Sequence, residues 1–383
     1  MNRTQILFLF ALYGVEFLDE LIYGLQSAVI PYIKTDLALT YTQIGLLSTI
    51  PGLLGIFADP FIGLLADTRH RRALVMFGIV ATTIGLVLTG LGQTYVVILF
   101  SFCILYLASG AYVNLAQATL IDRDPTRAEN TMARWTLMGA IGVTVAPLIA
   151  TALFFIGYSW RGLYLGCAGV AGIYIALLVR LKFDAHARAD APIAPRQMLR
   201  DLVNALRHRE MLRWLILTEL ADLMLDKLLE VTGLYFHDVV GVSLAAASGA
   251  VAIFSLAQFA GTVALVPLLE RVRGLRLLRV SSAIVLALYA GFLLIPNEIV
   301  KIILLALLAF QTIGWYPILH SKSFEILPGR SGLVISVNSL ANVSSIFVPA
   351  ILGTIADAIG LQNAMWILAL GPLALIIGLP RDK

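Results

Sequence analysis

The apolar positions of this chain fall in long runs, and the polar positions gather in the short intervals between them. A helix needs roughly 20 mostly apolar residues to cross a bilayer. Twelve runs meet that length, at residues 5–33, 42–66, 73–92, 95–121, 131–156 and 161–180, then 214–237, 244–269, 275–295, 298–322, 331–356 and 361–380. The pattern predicts an all-α integral membrane protein with 12 transmembrane helices. Spans one and seven are the weakest, because both carry acids. The one long interval, 181–213, follows Arg180 and holds Lys182, Arg188, Pro192 and Pro195. Its later part reads as an amphipathic basic helix on the membrane surface (Arg196, Arg200, Arg207, Arg209, Arg213). The expected organisation is a six-helix bundle over 1–180, a cytoplasmic linker over 181–213 and a second six-helix bundle over 214–383.

Composition sharpens this. The chain has 383 residues, 60% hydrophobic and only 13% charged, and its mean hydropathy is +0.91. Soluble domains carry about 25% charged residues. A soluble enzyme, a disordered chain and a DNA-binding module are therefore excluded, and no nucleic-acid partner is expected despite the net charge of +4. Cys103 and Cys167 lie in apolar runs and suggest neither disulfides nor a metal site. No cleavable signal is evident, since the first run carries Glu16 and lacks a small-residue cleavage site. Loops rich in Lys and Arg stay cytoplasmic. With the N-terminus inside, 23 of the 27 Lys and Arg face the cytoplasm, Lys34, Arg161 and Lys301 face outward, and Lys227 lies within a span. Both termini are expected in the cytoplasm of a multi-pass protein of the inner cell membrane.

The two halves align at a constant offset of 203 residues. Glu16 falls on Glu219, Asp19 on Asp222, Tyr32 on Tyr235, Asp67 on Glu270 and Gly157 on Gly360. Asp122, Pro125 and Arg127 fall on Glu325, Pro328 and Arg330. Parallel six-span repeats are a known plan for transporters.

The turn after span two reads Gly63-Leu64-Leu65-Ala66-Asp67-Thr68-Arg69-His70-Arg71-Arg72. It resembles the signature loop of the major facilitator superfamily, Gly-x-Leu-Ala-Asp-Arg-x-Gly-Arg-Arg, with Thr68 and His70 departing from the pattern. The span count, the repeat and the central linker extend the resemblance to the whole chain. The resemblance implies the major facilitator fold, a monomer, and a cytoplasmic gate built from Gly63, Asp67, Arg69, Arg71, Arg72 and Arg127. Within that family the chain resembles bacterial drug-efflux and fosmidomycin-resistance carriers. In span five, Gly142-Val143-Thr144-Val145-Ala146-Pro147-Leu148-Ile149-Ala150 looks like a softened antiporter motif. A plain packing interface of small residues explains it equally well. Asp59-Pro60-x-x-Gly63-x-x-x-Asp67 resembles the second-span motif of cation-coupled sugar and lysolipid symporters, which makes Asp59 a candidate cation site. An acid capping a helix broken at Pro60 is the competing reading.

An ionised side chain at the bilayer centre costs roughly 2.5–3.5 kcal/mol on insertion scales. Span one nevertheless carries Glu16, Asp19 and Glu20, and their spacing puts all three, with Tyr23, on one helical face. Span seven carries Glu219, Asp222, Asp226 and Glu230 at i, i+3, i+7 and i+11, another stripe, with Lys227 placed to pair with Glu230. Span four offers Ser109, Tyr112, Asn114 and Gln117, and span ten offers Gln311, Trp315, Tyr316 and His320. In the family, spans one, four, seven and ten line a central cavity, so the resemblance implies that the acidic stripes face it. Aromatic rings near carboxylates suit organic cations, and His320 could relay protons or ligate metal. Span eleven is rich in Ser and Asn, of which Asn338 and Asn342 are substrate candidates and helix packing is the alternative.

No nucleotide-binding loop is present, and no cofactor is expected. The expected function is secondary active transport, with proton-coupled export of a small cationic or amphipathic molecule. Desolvated carboxyls would take up proton and substrate in competition. The partners are then substrate, a coupling ion (proton or sodium) and the bilayer. The alternatives are a divalent-metal carrier using the acids and His320, a sodium- or proton-coupled sugar or lysolipid carrier using Asp59, and a non-transporting sensor or membrane enzyme. The last lacks any nucleophile–base constellation.

Overall fold

In a bilayer every backbone N–H and C=O must be paired within its own segment, and long apolar runs therefore become helices. The computed structural model describes residues 3–66, 71–123, 128–180, 200, 204, 207–326 and 343–380. All regular structure among them is helical. The chain divides into two compact units, 1–189 and 190–383.

In the first unit the helices are α1 (Arg3–Asp36), α2 (Tyr41–Ala66), α3 (Arg71–Leu91), α4 (Tyr95–Arg123), α5 (Ala128–Phe155) and α6 (Trp160–Val179). In the second the longer ones are α7 (Arg209–Asp222), α8 (Leu228–Tyr235), α9 (Leu244–Leu269), α10 (Gly274–Leu294), α11 (Glu298–Thr312), α12 (Trp315–Ile326), α13 (Val348–Ile359) and α14 (Leu370–Gly378), with single helical turns at Val343–Ile346 and Leu361–Ala364. A π-helical turn at Leu223–Lys227 joins α7 to α8, and a second, Phe236–Val240, follows α8. The helix that carries the expected seventh span thus starts at Arg209 rather than 214. Arg209 and Arg213, expected in a surface helix, belong to it. Of the rest of that surface helix, Arg200 and Asn204 are helical and exposed and Arg207 is an exposed turn residue, whereas 196–199, 201–203 and 205–206 lie outside the described residues.

Local chemistry sets the helix ends. The Thr40 amide donates to Gln43 Oε1 (3.0 Å) and the Gln43 amide to Thr40 Oγ1 (3.1 Å), a reciprocal capping box at the start of α2. Ser159, Ser243 and Asn297 cap α6, α9 and α11 through their side-chain oxygens. Gly157 and Gly360, one repeat apart, both have positive φ (+80° and +86°) just beyond α5 and α13. The backbone there requires glycine in both halves.

Nine helices among the described residues are long and apolar enough to cross a membrane. Three expected spans are not among them. In α1 the acids interrupt the apolar run. The π turns divide the seventh span, and residues 327–342 of the eleventh lie outside the described residues. Large apolar side chains point outward, among them Phe10, Phe77 and Ile377, exposed by 71%, 68% and 81%. Water would penalise such a surface, whereas lipid does not.

Packing repeats between the units. In the first, α3 packs on α4 and α6, and α2 on α4. In the second, α10 packs on α11 and α14, and α9 on α11. These are the same neighbours shifted by the 203-residue offset. In the first unit α1 lies closest to α5, where small residues permit the approach. A Cβ on Gly142 would sit 2.5 Å from the Phe17 carbonyl oxygen, and one on Gly24 would sit 2.6 Å from the Val143 oxygen. The softened antiporter motif therefore forms a tight helix–helix contact.

Candidate transport site

The three acids of α1 share one side of the helix but serve two neighbours. Asp19 turns to α4. Ser109 Oγ donates to its Oδ2 (3.0 Å) and Tyr112 Oη to its Oδ1 (2.8 Å). Tyr112 is wholly buried, and a Cβ on Gly78 of α3 would lie 2.7 Å from its Cβ. That fit fixes the ring and aims the hydroxyl. Among the described residues, the hydrogen-bond partners of Asp19 are these two neutral hydroxyls. Glu16 and Glu20 turn to α5, where a Cβ on Gly139 would meet Glu16 Oε1 at 2.8 Å and Glu20 Cγ at 3.1 Å. The Trp135 indole is a hydrogen-bond partner of Glu16. The sequence reading missed Trp135. The available signal was a tryptophan inside a span, whose N–H needs an acceptor. Tyr23 continues the face, half-buried, and Gln117 is half-buried further along α4.

The second unit treats its acids differently. Lys227 Nζ lies 2.9 Å from Glu230 Oε1 and 4.0 Å from Asp222 Oδ2. The first contact is the expected i,i+3 pair. The second spans five residues, which a regular α-helix places on different faces. The π turn at Leu223–Lys227 closes that gap, and π-bulges of this kind recur at functional sites. Glu219 is half-buried and Asp226 is exposed. Tyr316 and His320 of α12 stack with centroids 5.1 Å apart and planes within 16°. Tyr316 is 53% exposed, and Asp226, Asp222 and Glu219 lie within electrostatic reach of it.

Trp315 is wholly buried, and its indole donates to Ser281 Oγ of α10 (2.8 Å). Ser281 is the repeat equivalent of Gly78. The aromatic residue of the pair therefore packs in the corresponding place in both units, but its polar atom meets an acid only in the first. Lys301, counted among the outward topology charges, is 5% exposed. It donates to Tyr235 Oη (2.7 Å) and to the Phe292 carbonyl.

Of the gate residues, Arg72 is described. Its Nη2 donates to the Val179 carbonyl (2.9 Å), tying the start of α3 to the end of α6. Gly63 lies in α2 and Arg71 begins α3. Asp67, Arg69 and Arg127 lie outside the described residues. Asp59 is in α2, which runs through Pro60 without a break, so the reading of it as cap of a broken helix falls. Asn338 and Asn342 lie outside the described residues. Among the described residues, no three His, Cys, Asp or Glu side chains are grouped to hold a metal ion.

A sequence model of the Major Facilitator Superfamily matches residues 12–342. The chain belongs to that superfamily. This major facilitator is 22% identical over 381 residues to an uncharacterized MFS-type transporter, YfnC, of Bacillus subtilis (strain 168), covering 96% of this chain and 91% of the relative. Solved structures that share its fold include three transporters. A bacterial homolog of the human lysosomal transporter Spinster, inward-facing and unoccupied, has a TM-score of 0.77 at 16% identity, covering 99% of this chain and 95% of that one. A mutant of the nucleoside transporter NupG has a TM-score of 0.79 at 14% identity, covering 96% and 98%. A D-xylose-proton symporter has a TM-score of 0.74 at 15% identity, covering 97% of each chain. The protein is a multi-pass membrane transporter and not an enzyme.

Proposed function

We propose that this major facilitator exchanges protons for a small organic cation or cationic amphipath, exporting it by alternating access. The observation that carries the reading is Asp19, a carboxylate within a membrane helix whose bonding partners are two neutral hydroxyls. A charge so placed needs a compensating positive charge. A proton or a cationic substrate can supply it, but not both at once, and that competition couples the two fluxes. Asp226, exposed beside the stacked Tyr316–His320 pair, supplies the aromatic and anionic surface that cations favour. Lys227 pairs with Glu230 and lies 4.0 Å from Asp222, and this reading assigns the exchange to Asp19 and Asp226.

The same reading includes twelve spans, both termini cytoplasmic, residence in the inner membrane and a monomer. The three spans beyond the nine apolar helices are α1, the helix from Arg209 to Val240, and the segment ending in α13.

The test is counterflow in proteoliposomes, paired with thermal shift across pH. Organic cations should stabilise the wild type more strongly at high pH. Asp19→Asn and Asp226→Asn should each abolish proton-driven transport while leaving expression unchanged. Unchanged transport in both variants would sink the assignment. Stabilisation by sodium alone, lost in Asp59→Asn, would replace it with sodium coupling.

A further inference from the structure

We propose that the groove between α7 and α14 is a binding site for one anionic phospholipid, with the phosphate on Arg209 and Arg213 and an acyl chain along Leu212, Ile216 and Ile377. This does not rest on the identity of the transported substrate. The groove has a volume of about 470 Å³, and its lining surface is almost wholly apolar, with Arg209 and Arg213 among the residues that border it.

Its shape follows from small residues. A Cβ on Gly378 would lie 2.5 Å from Leu217 Cδ2, and one on Gly371 would lie 2.7 Å from the Leu220 oxygen. The backbone of α14 therefore sits hard against α7. Ala374, one turn before Gly378, adds only a methyl, and a lane opens beside the contact. Leu212, Ile216 and Ile377 turn outward along that lane, exposed by 44%, 49% and 81%. A hydrocarbon chain covers such a surface at no polar cost.

The polar end is equally defined. Arg209 and Arg213 are one turn apart on the same face of α7. Arg213 Nε donates to the Gly378 carbonyl (2.7 Å), which anchors the guanidinium at the end of α14. Glu210 approaches Nη1 only to 3.9 Å, beyond a direct hydrogen bond. Two cations against one acid leave the mouth positive. It also lies at the start of α7, where His208 makes no side-chain cap and the first-turn amides favour an anion. A guanidinium fork matches phosphate oxygens. Apolar lane and positive mouth together describe an amphiphile with an anionic head, and in a membrane that is an anionic phospholipid.

The experiment titrates the purified full-length protein with phosphatidylglycerol, phosphatidylcholine of the same acyl chains, and inorganic phosphate. Native mass spectrometry and thermal shift are the readouts. Phosphatidylglycerol should bind at least fivefold more tightly than phosphatidylcholine, and phosphate alone should not stabilise. Arg209→Ala should weaken phosphatidylglycerol about fivefold, the effect of about one surface cation, and Arg209→Lys should restore most of it. Ile377→Trp, which fills the lane without touching the arginines, should weaken both lipids. Arg213→Ala also removes the α14 contact, so the first three variants carry the test. Equal affinity for the two lipids would overturn the proposal, as would stabilisation by phosphate equal to that by phosphatidylglycerol, or unchanged lipid binding in both Arg209→Ala and Ile377→Trp.

Discussion

Asp19 and Asp222 occupy equivalent positions in the repeat but have different company. Two hydroxyls hold Asp19, and Lys227 stands 4.0 Å from Asp222. A hydrogen bond to a charged group contributes roughly 1.5–3 kcal/mol, and each 1.4 kcal/mol is tenfold. Tyr112→Phe should therefore reduce proton-driven counterflow about tenfold with normal expression, and a wild-type rate would show that the hydroxyl does not tune Asp19. Removing one partner of a fully buried ion pair costs roughly 3–5 kcal/mol, and the Lys227–Glu230 pair, 16% and 20% exposed, stands below that. Lys227→Met should lower the melting temperature by several degrees, and Lys227→Met with Glu230→Leu should recover part of it. An unchanged melting temperature in the single variant would mean that the pair contributes nothing. The acids and their spacing were legible in the sequence, but their partners were not. Heptad and i,i+4 reasoning works along one helix, whereas Ser109, Tyr112 and Trp135 reach α1 from α4 and α5.

At the scale of elements, close approach is set by where a Cβ is absent. A Cβ on Gly142 would lie 2.5 Å from a backbone oxygen of α1, whereas Gly166 in α6 has nothing within 4 Å. Gly142→Ala should force α1 and α5 apart and destabilise by about 1–3 kcal/mol. Gly166→Ala should be neutral or stabilise by up to about 1 kcal/mol through helix propensity. Thermal melting of the two variants side by side checks this. Similar melting temperatures would mean that α1 shifts at no cost. The π turn at Leu223–Lys227 is the element-scale feature that the sequence concealed. Its composition differs in no evident way from an ordinary turn, and the register change appears only when Lys227 is found beside Asp222.

For the whole molecule, the two units reuse one packing plan and tie the corresponding end of each with a different cation. Arg161, at the start of α6, pairs with Asp36 at the end of α1 (2.7 Å) and donates to the Gly92 carbonyl just after α3. Lys301 of α11 reaches Tyr235 at the end of α8 and Phe292 near the end of α10. First and third spans in one unit, seventh and ninth in the other, are thus tied by equivalent bridges from unlike positions. Both residues were counted as charges that set orientation, and each also has a clamping role that requires the folded unit. The expected orientation is testable directly. Cys103 and Cys167 are free thiols and can be replaced by Ala. In that background Gln93→Cys should react with an impermeant maleimide from outside intact cells. His208→Cys should react only after the membrane is opened. The reverse pattern would invert the topology.

The sequence by itself determined that the chain is a multi-pass helical transporter, because membrane crossing depends on the apolar content of single segments and the family signature lies in one contiguous loop. It also placed carboxylates where the bilayer penalises charge. Tertiary structure decided what those carboxylates meet. The Asp19–Tyr112 bond depends on α3 seating the ring, the Asp222–Lys227 pair on a local π turn, and the α1–α5 contact on glycines whose value is the side chain they lack. Each is a relation between segments or a departure from regular helix. Hydropathy and periodicity, which describe one segment at a time, carry no record of either.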